Sequence, residues 1–458
     1  MNRAHIVRVG GDLLSQRPRA TMSDVAGAAN VSRGTLYRHF PTRADLLTAV
    51  NEQARDTAVT TSEDRLRPAG ELARATPTPM SVADVLNKVP PHLLGEQIVA
   101  EAQRIGGVSS AAVYLADLEG ARLKRLAGPL SFPETLALAL AVGTEIPQEG
   151  LPALAATIEE QLPGAQCAPL LLRGRALGVL VAVGGATEAL ADLAYEAAAA
   201  LSLAEAYTDH LDGARRVRAT SPAAEIQQNL LPPRIVRTNG ALVAGNVLPG
   251  YEIGGDWFDY AENPSGTWIG TADAEGSGPR AAALASVALG AFRSARHQGL
   301  DLPGVIELMH ATVREVSEQL TVSTTVGFWV PPTSTFSWIS CGELGPIVVD
   351  AEGVGDLLEG HRLPPLGTAD GLGEITVRTR RLADGDRLVL ASDGIVDRTY
   401  PEGRALSIEG VVDAVRDAPF ASAAGAVSAI EEVVRTMSSE HLLDDATVVV
   451  LTPVLGQL

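Results

Sequence analysis

Apolar residues recur at helical spacing through residues 5–15, and shorter amphipathic stretches follow at 24–29, 33–40 and from 42 onward. Ser23 is the expected N-cap of the first short stretch and Ser32 of the second; Asn30 suits a left-handed turn between them, and Pro41 stops the last turn before Thr42. Residues 57–84 then lose periodicity and gather Thr, Ser, Arg, Pro and Gly, the composition of a linker. From there the spacing predicts a helix over Glu96–Ile105, strands at 111–115 and 123–126, and a hairpin. The hairpin pairs the apolar runs 167–172 and 176–183 across the polar turn Arg173-Gly174-Arg175. Next, Leu193, Ala197, Ala200, Ala204, Tyr207, Leu211 and Ala214 fall at 4-3-4-3 spacing, which predicts a heptad seam for a parallel contact with a second copy of the chain. A further helix covers 224–231, and a strand at 385–391 runs into Ser392-Asp393-Gly394.

At 458 residues the chain is too long for one core. The pattern divides it into a head (1–56), a linker (57–84), a middle domain (85–210), a helical, coiled-coil linker (211–235) and a C-terminal domain (236–458). Charge changes the picture of the head. Residues 1–55 hold eight arginines against four acidic residues, although the whole chain carries −19. A basic head on an acidic protein points to DNA as a partner of the head alone. Cys167 and Cys341 lack metal-ligand spacing and are expected to be buried thiols in a reducing compartment. No apolar run reaches the ~18 residues of a membrane span, so no membrane partner is expected, and a cytoplasmic location follows.

The candidate chemistry lies in four short acidic motifs. They are Gly254-Gly255-Asp256-Trp257-Phe258-Asp259, Asp273-Ala274-Glu275-Gly276, Ser392-Asp393-Gly394 and Asp444-Asp445-Ala446-Thr447. Hard cations such as Mg²⁺ and Mn²⁺ prefer oxygen ligands, and a two-ion site needs carboxylates from several strands. With lysine confined to Lys88 and Lys124, no Gly-Lys-Ser/Thr phosphate loop exists. The segment Gly254–Phe258 has a superficial likeness to the diguanylate cyclase signature. That signature requires an acid where Trp257 stands, and it leaves Asp393 and Asp444 unexplained.

Three resemblances sharpen these readings. The run from Val31 to Leu47 resembles the TetR-type helix-turn-helix, which implies that Arg33, Thr35, Tyr37, Arg38 and His39 face DNA. The large helical domain that dimerises such regulators is missing, so the heptad seam would have to supply the homodimer. The middle hairpin and its long helix resemble a GAF sensory domain, with an unidentified small-molecule ligand. Residues 220–455 resemble the bacterial PPM-type serine/threonine phosphatases of the stage II sporulation protein E class. Together the resemblances imply a multidomain chain: an all-α head, an α/β middle domain, and an α+β sandwich of two sheets between helix layers (αββα). The last resemblance implies two Mn²⁺ or Mg²⁺ ions held by Asp256, Asp273, Asp393 and Asp444, with the backbone of Ala274 as a further ligand. Asp259, Asp397 and Asp445 would support the site or lie on the surface. It also implies a phosphorylated protein substrate, an anti-sigma factor antagonist of a partner-switching pathway. Two departures stand out: Ser340-Cys341-Gly342-Glu343 replaces the usual Asn-Ala-Gly-His, and Ser277 replaces a histidine. The alternative is a TetR-like regulator whose phosphatase-like domain only senses or docks.

Overall fold

The computed structural model describes residues 3–16, 20–31, 35–36, 39–40, 42, 45–46, 49–50, 81–248, 254–342, 345–358, 362–399, 403–437 and 445–454. Two compact units emerge, Met1–Pro79 and Met80–Leu458. In the first, helices α1 (Arg3–Gln16) and α2 (Met22–Ala28) close over Ile6, Val25, Leu36, Phe40 and Leu46. The cap of α2 is Thr21, not Ser23. The Thr21 side chain accepts from the Asp24 N–H, and Asp24 Oδ2 accepts from the Thr21 N–H at 2.7 Å. That reciprocal pair satisfies two helix-start donors at once, which Ser23 with its neighbours would not. Asn30 takes the left-handed conformation expected of it, φ 52°.

The second unit begins with α3 (Val82–Lys88), capped by Ser81 and starting three residues before the expected boundary at 85. With α4 (Leu94–Arg104) and the long α6 (Thr187–Ala204) it covers one face of an antiparallel sheet. The sheet holds β1 (Ser110–Ala116), β2 (Arg122–Ala127), β3 (Thr135–Ala137), β4 (Ile146–Pro147), β5 (Ala165–Leu172) and β6 (Arg175–Val183), with α5 (Leu151–Gln161) on the other face. The hairpin β5–β6 turns at Arg173 (φ 50°) and Gly174 (φ 86°), the paired left-handed residues of a two-residue turn.

The heptad seam is overturned. Leu193, Ala197, Ala200, Ala204 and Leu211 all lie in the core between α6 and the sheet. The helix also ends at Ala204, and Thr208 is extended before α7 (Asp209–Arg215). Arg216 is extended again before α8 (Pro222–Leu230), so no continuous coiled linker runs through 211–235. Small alanines at 4-3 spacing serve close packing on the chain's own sheet as well as on a partner helix. The spacing alone does not separate the two.

The C-terminal domain is a sandwich. Its strands are β7 (Ile235–Thr238), β8 (Ala241–Leu248), β9 (Asp256–Asn263), β10 (Gly266–Ala274), β11 (Val322–Val330), β12 (Thr335–Cys341), β13 (Ile347–Val349), β14 (Gly355–Leu357), β15 (Arg378–Arg381), β16 (Arg387–Ala391) and β17 (Ala446–Pro453). One sheet has the order β15-β12-β11-β10-β9 and the other β14-β13-β16-β17-β8-β7. Val243, Phe258, Trp329, Leu388 and Val449 fill the space between the sheets. Helices α9 (Gly278–His297) and α10 (Leu302–Val316) cover the first sheet. After the short α11 (Asp393–Val396), α12 (Ser407–Arg416) and α13 (Ala423–Met437) cover the second. This is the αββα arrangement expected. Among the described residues no helix is long and apolar enough to cross a membrane.

Candidate metal centre

Asp256 opens β9 and Asp273 nearly closes β10, and the two stand directly opposite each other in the antiparallel register. The turn of glycines before Asp256 has a packing reason. A Cβ on Gly254 would come within 2.7 Å of the Ala223 carbonyl oxygen in α8, so only glycine lets that helix lie against the strand entrance. At the end of β16 the chain enters α11 with Asp393 at its first position. A Cβ on Gly394 would lie 1.7 Å from the Asp445 carbonyl oxygen, so the glycine of this motif lets it abut the fourth.

Thr447 ties three motifs together. Its N–H donates to Ser392 Oγ at 2.9 Å, its carbonyl accepts from the Ser392 N–H at 2.9 Å, and its hydroxyl donates to Asp256 Oδ2. Asp445 Oδ2 accepts from the Asp256 N–H at 3.2 Å and from Gln227 Nε2 at 2.8 Å. Gln227, buried in α8, also donates to the Asp256 carbonyl at 3.1 Å. Neither Thr447 nor Gln227 was singled out from the sequence. A polar residue on the inward face of α8, at Gln227, was the available signal.

Asp273, Ser323, Cys341, Ser392, Asp393 and Thr447 line a cavity of about 30 Å³ at this end of the sandwich. Burial pushes the Asp256 carboxyl well above the usual carboxylate range. The neighbouring charges of Asp273 and then Asp445 push it further, against the hydrogen bond from Thr447. Asp393 Oδ1 is buried and has no hydrogen-bond partner among the described residues. Carboxylates crowded together out of water, one with an idle oxygen, are a donor set suited to hard divalent cations. Among the described residues no three acidic, His or Cys groups stand assembled around one point. Cys341 lines the cavity, but burial raises its thiol to about 12, so it carries no thiolate near neutral pH.

The remaining expected residues sort themselves. Ala274 follows Asp273, and its N–H is committed to the Gly255 carbonyl. Asp444 and Glu343 lie outside the described residues, while Asp445 is buried against Asp256. Asp259 points away from the centre and pairs with Arg293 and Arg296 of α9. Asp397 is exposed. Ser277 precedes α9 in an extended conformation and makes no capping hydrogen bond. In the head, Thr35 is half-buried and His39 exposed; Arg33, Tyr37 and Arg38 lie outside the described residues.

Residues 263–453 match the family model described as stage II sporulation protein E, and residues 12–50 match that of bacterial regulatory proteins of the TetR family. A TetR-type head and a phosphatase domain of the stage II sporulation protein E class, the two resemblances drawn from the motifs, are thus each matched by a family model. No curated protein matches the chain. Similar solved structures include the RsbU and RsbW domains of a Mycobacterium tuberculosis protein, 22% identical with a TM-score of 0.42 over 48% of this chain and 63% of that one. The SiaA-PP2C domain of Pseudomonas aeruginosa is 20% identical with a TM-score of 0.43, over 51% of this chain and 94% of that one. The PP2C phosphatase domain of SpoIIE from Bacillus subtilis, with a fragment of its regulatory domain, is 13% identical with a TM-score of 0.42, over 89% and 100%.

Proposed function

We propose that the chain is a metal-dependent phosphoserine/phosphothreonine protein phosphatase whose output is set by its middle domain and whose head binds DNA. The observation that carries the reading is the opposed pair Asp256 and Asp273 at one end of the sandwich, with Asp393 beside the same cavity. Two divalent ions there would activate water and neutralise phosphoryl charge. Asp256, Asp273, Asp393 and Asp444 would hold them, with the Ala274 carbonyl. Thr447 and Gln227 orient Asp256 through its side chain and its backbone. Asp445 receives the Asp256 N–H, so the fourth motif braces the first.

The substrate class is a phosphorylated protein of a partner-switching pathway, by likeness to the family that residues 263–453 match. The GAF-like reading of the middle domain, with a small-molecule ligand, is supported by its antiparallel sheet between helices. The site is tested by Mn²⁺-dependent hydrolysis of p-nitrophenyl phosphate and of phosphoproteins. Asp273→Asn is expected to lower turnover about a hundredfold, the scale on which charge-stabilising groups act. Wild-type turnover no greater than that of the variant on every substrate would leave only a docking or sensing domain.

A further inference from the structure

A second buried polar cluster joins the middle domain to the sandwich. Glu145, just before β4, is 4% exposed. Its Oε1 lies 2.8 Å from Arg175 Nε in β6, and its Oε2 accepts from the Ile235 N–H of β7 at 2.8 Å. The approach is close at the backbone: a Cβ on Gly143 would lie 3.1 Å from Asn246 Oδ1 and 3.3 Å from Arg234 Nε. Arg234 is itself buried and sits 5.8 Å over the ring of Phe258. On the far side Asn246 donates to Glu431 at 2.6 Å, and Arg435 donates both to Glu431 and to the Glu119 carbonyl of the middle domain.

Strand alternation gives this contact its reach. Asp256, Phe258 and Tyr260 share one face of β9, while Trp257 and Asp259 turn to the other, onto Phe292 and Arg293 of α9. Asp256 is at the metal centre. Phe258 lies beneath Arg234, and Tyr260 lies within electrostatic reach of Glu145, Arg175 and Arg234. One face of a single strand therefore runs from the domain contact to the catalytic end.

We propose that Glu145, which lies outside the phosphatase domain, is a positioning residue for the hydrolysis: by holding Arg234 and Ile235 it fixes the inner face of β9 and so the placement of Asp256. This rests on the metal-dependent reading of the site. A buried ion cluster adds little net stability over apolar packing, but it demands one geometry. Without Glu145, Arg234 is left buried near Phe258 without the carboxylate whose charge acts on it most, and the strand face beneath it must readjust.

The test uses the full chain and the variants Glu145→Ala and Glu145→Gln. Hydrogen exchange over residues 256–263, measured without metal, is expected to run about tenfold faster in Glu145→Ala, the scale of a local-opening change of ~1.4 kcal/mol. With Mn²⁺ and p-nitrophenyl phosphate, kcat is expected to fall about fivefold with KM within about twofold, as for coupling through packed networks. Glu145→Gln keeps an acceptor for the Ile235 N–H and should recover part of both. Should Glu145→Ala fail to fold, Arg175→Ala replaces it, with about half the effect on each readout on a logarithmic scale. Wild-type exchange over 256–263 in a folded variant overturns the proposal, whatever happens to kcat. A wild-type chain without turnover defeats the phosphatase reading instead, and the exchange measurement still decides the role of Glu145.

Discussion

Two buried acidic clusters, one at the domain contact and one around Asp256, are built on opposite terms. At the domain contact Glu145 and Glu431 are enclosed, and burial raises both, but arginines answer them: Arg175 and Arg234 for Glu145, Arg435 and Arg234 for Glu431. At the proposed metal centre Asp256 is raised by burial too, but the charges that act on it most are two more carboxylates. The first cluster resembles the usual means of keeping buried charge, pairing it. The second keeps like charges together out of water, an arrangement that makes sense when cations complete it. Asp259 shows that the domain pairs a buried aspartate when no ion is needed: it sits three residues from Asp256 and takes two arginines.

The comparison can be broken in several ways. The largest effect is expected at the catalytic end. Asp393→Asn should reduce Mn²⁺-dependent turnover about a hundredfold while leaving the fold intact by circular dichroism. Equal turnover would remove Asp393 from the site. Next, Glu431→Ala should destabilise the chain by about 3 kcal/mol, since Asn246 loses its acceptor, Arg435 its carboxylate partner and Arg234 a neighbouring negative charge. A denaturation midpoint unchanged from wild type would show that the domain contact is not held by pairing. The opposite sign is expected for Asp256→Asn without metal. Removing one of the crowded charges while keeping an acceptor for Thr447 should raise stability by about 1 kcal/mol, and it should abolish the rise in melting temperature produced by Mn²⁺. A fall in metal-free stability would contradict the comparison. The smallest and most separable effect concerns the head. Its binding to an operator should weaken linearly in log–log form with salt, by about one unit of slope per phosphate contacted.

Much of this was legible in the sequence, and the reason differs from place to place. Strand and hairpin positions followed from apolar alternation and from turn residues with positive φ, as at Arg173-Gly174. The aspartate motifs could be found because their glycines answer steric needs, at Gly254 against Ala223 and at Gly394 against Asp445. The seam through Leu193 and Leu211 misled because alanine spacing reports close packing without naming what is packed. Ser23 lost its capping role to Thr21 because a reciprocal pair with Asp24 outweighs a single hydroxyl. Thr447, Gln227 and Glu145 were hidden for another reason. Their meaning depends on contacts across 191, 218 and 90 positions of chain, which no local pattern carries.

The measurement that bears most directly on the central claim is anomalous diffraction at the manganese edge from crystals of the chain soaked in Mn²⁺. Two peaks between Asp256, Asp273 and Asp393, with the fourth motif alongside, are the result expected. Density that shows no manganese at this end of the sandwich, or shows it only elsewhere, would contradict the account.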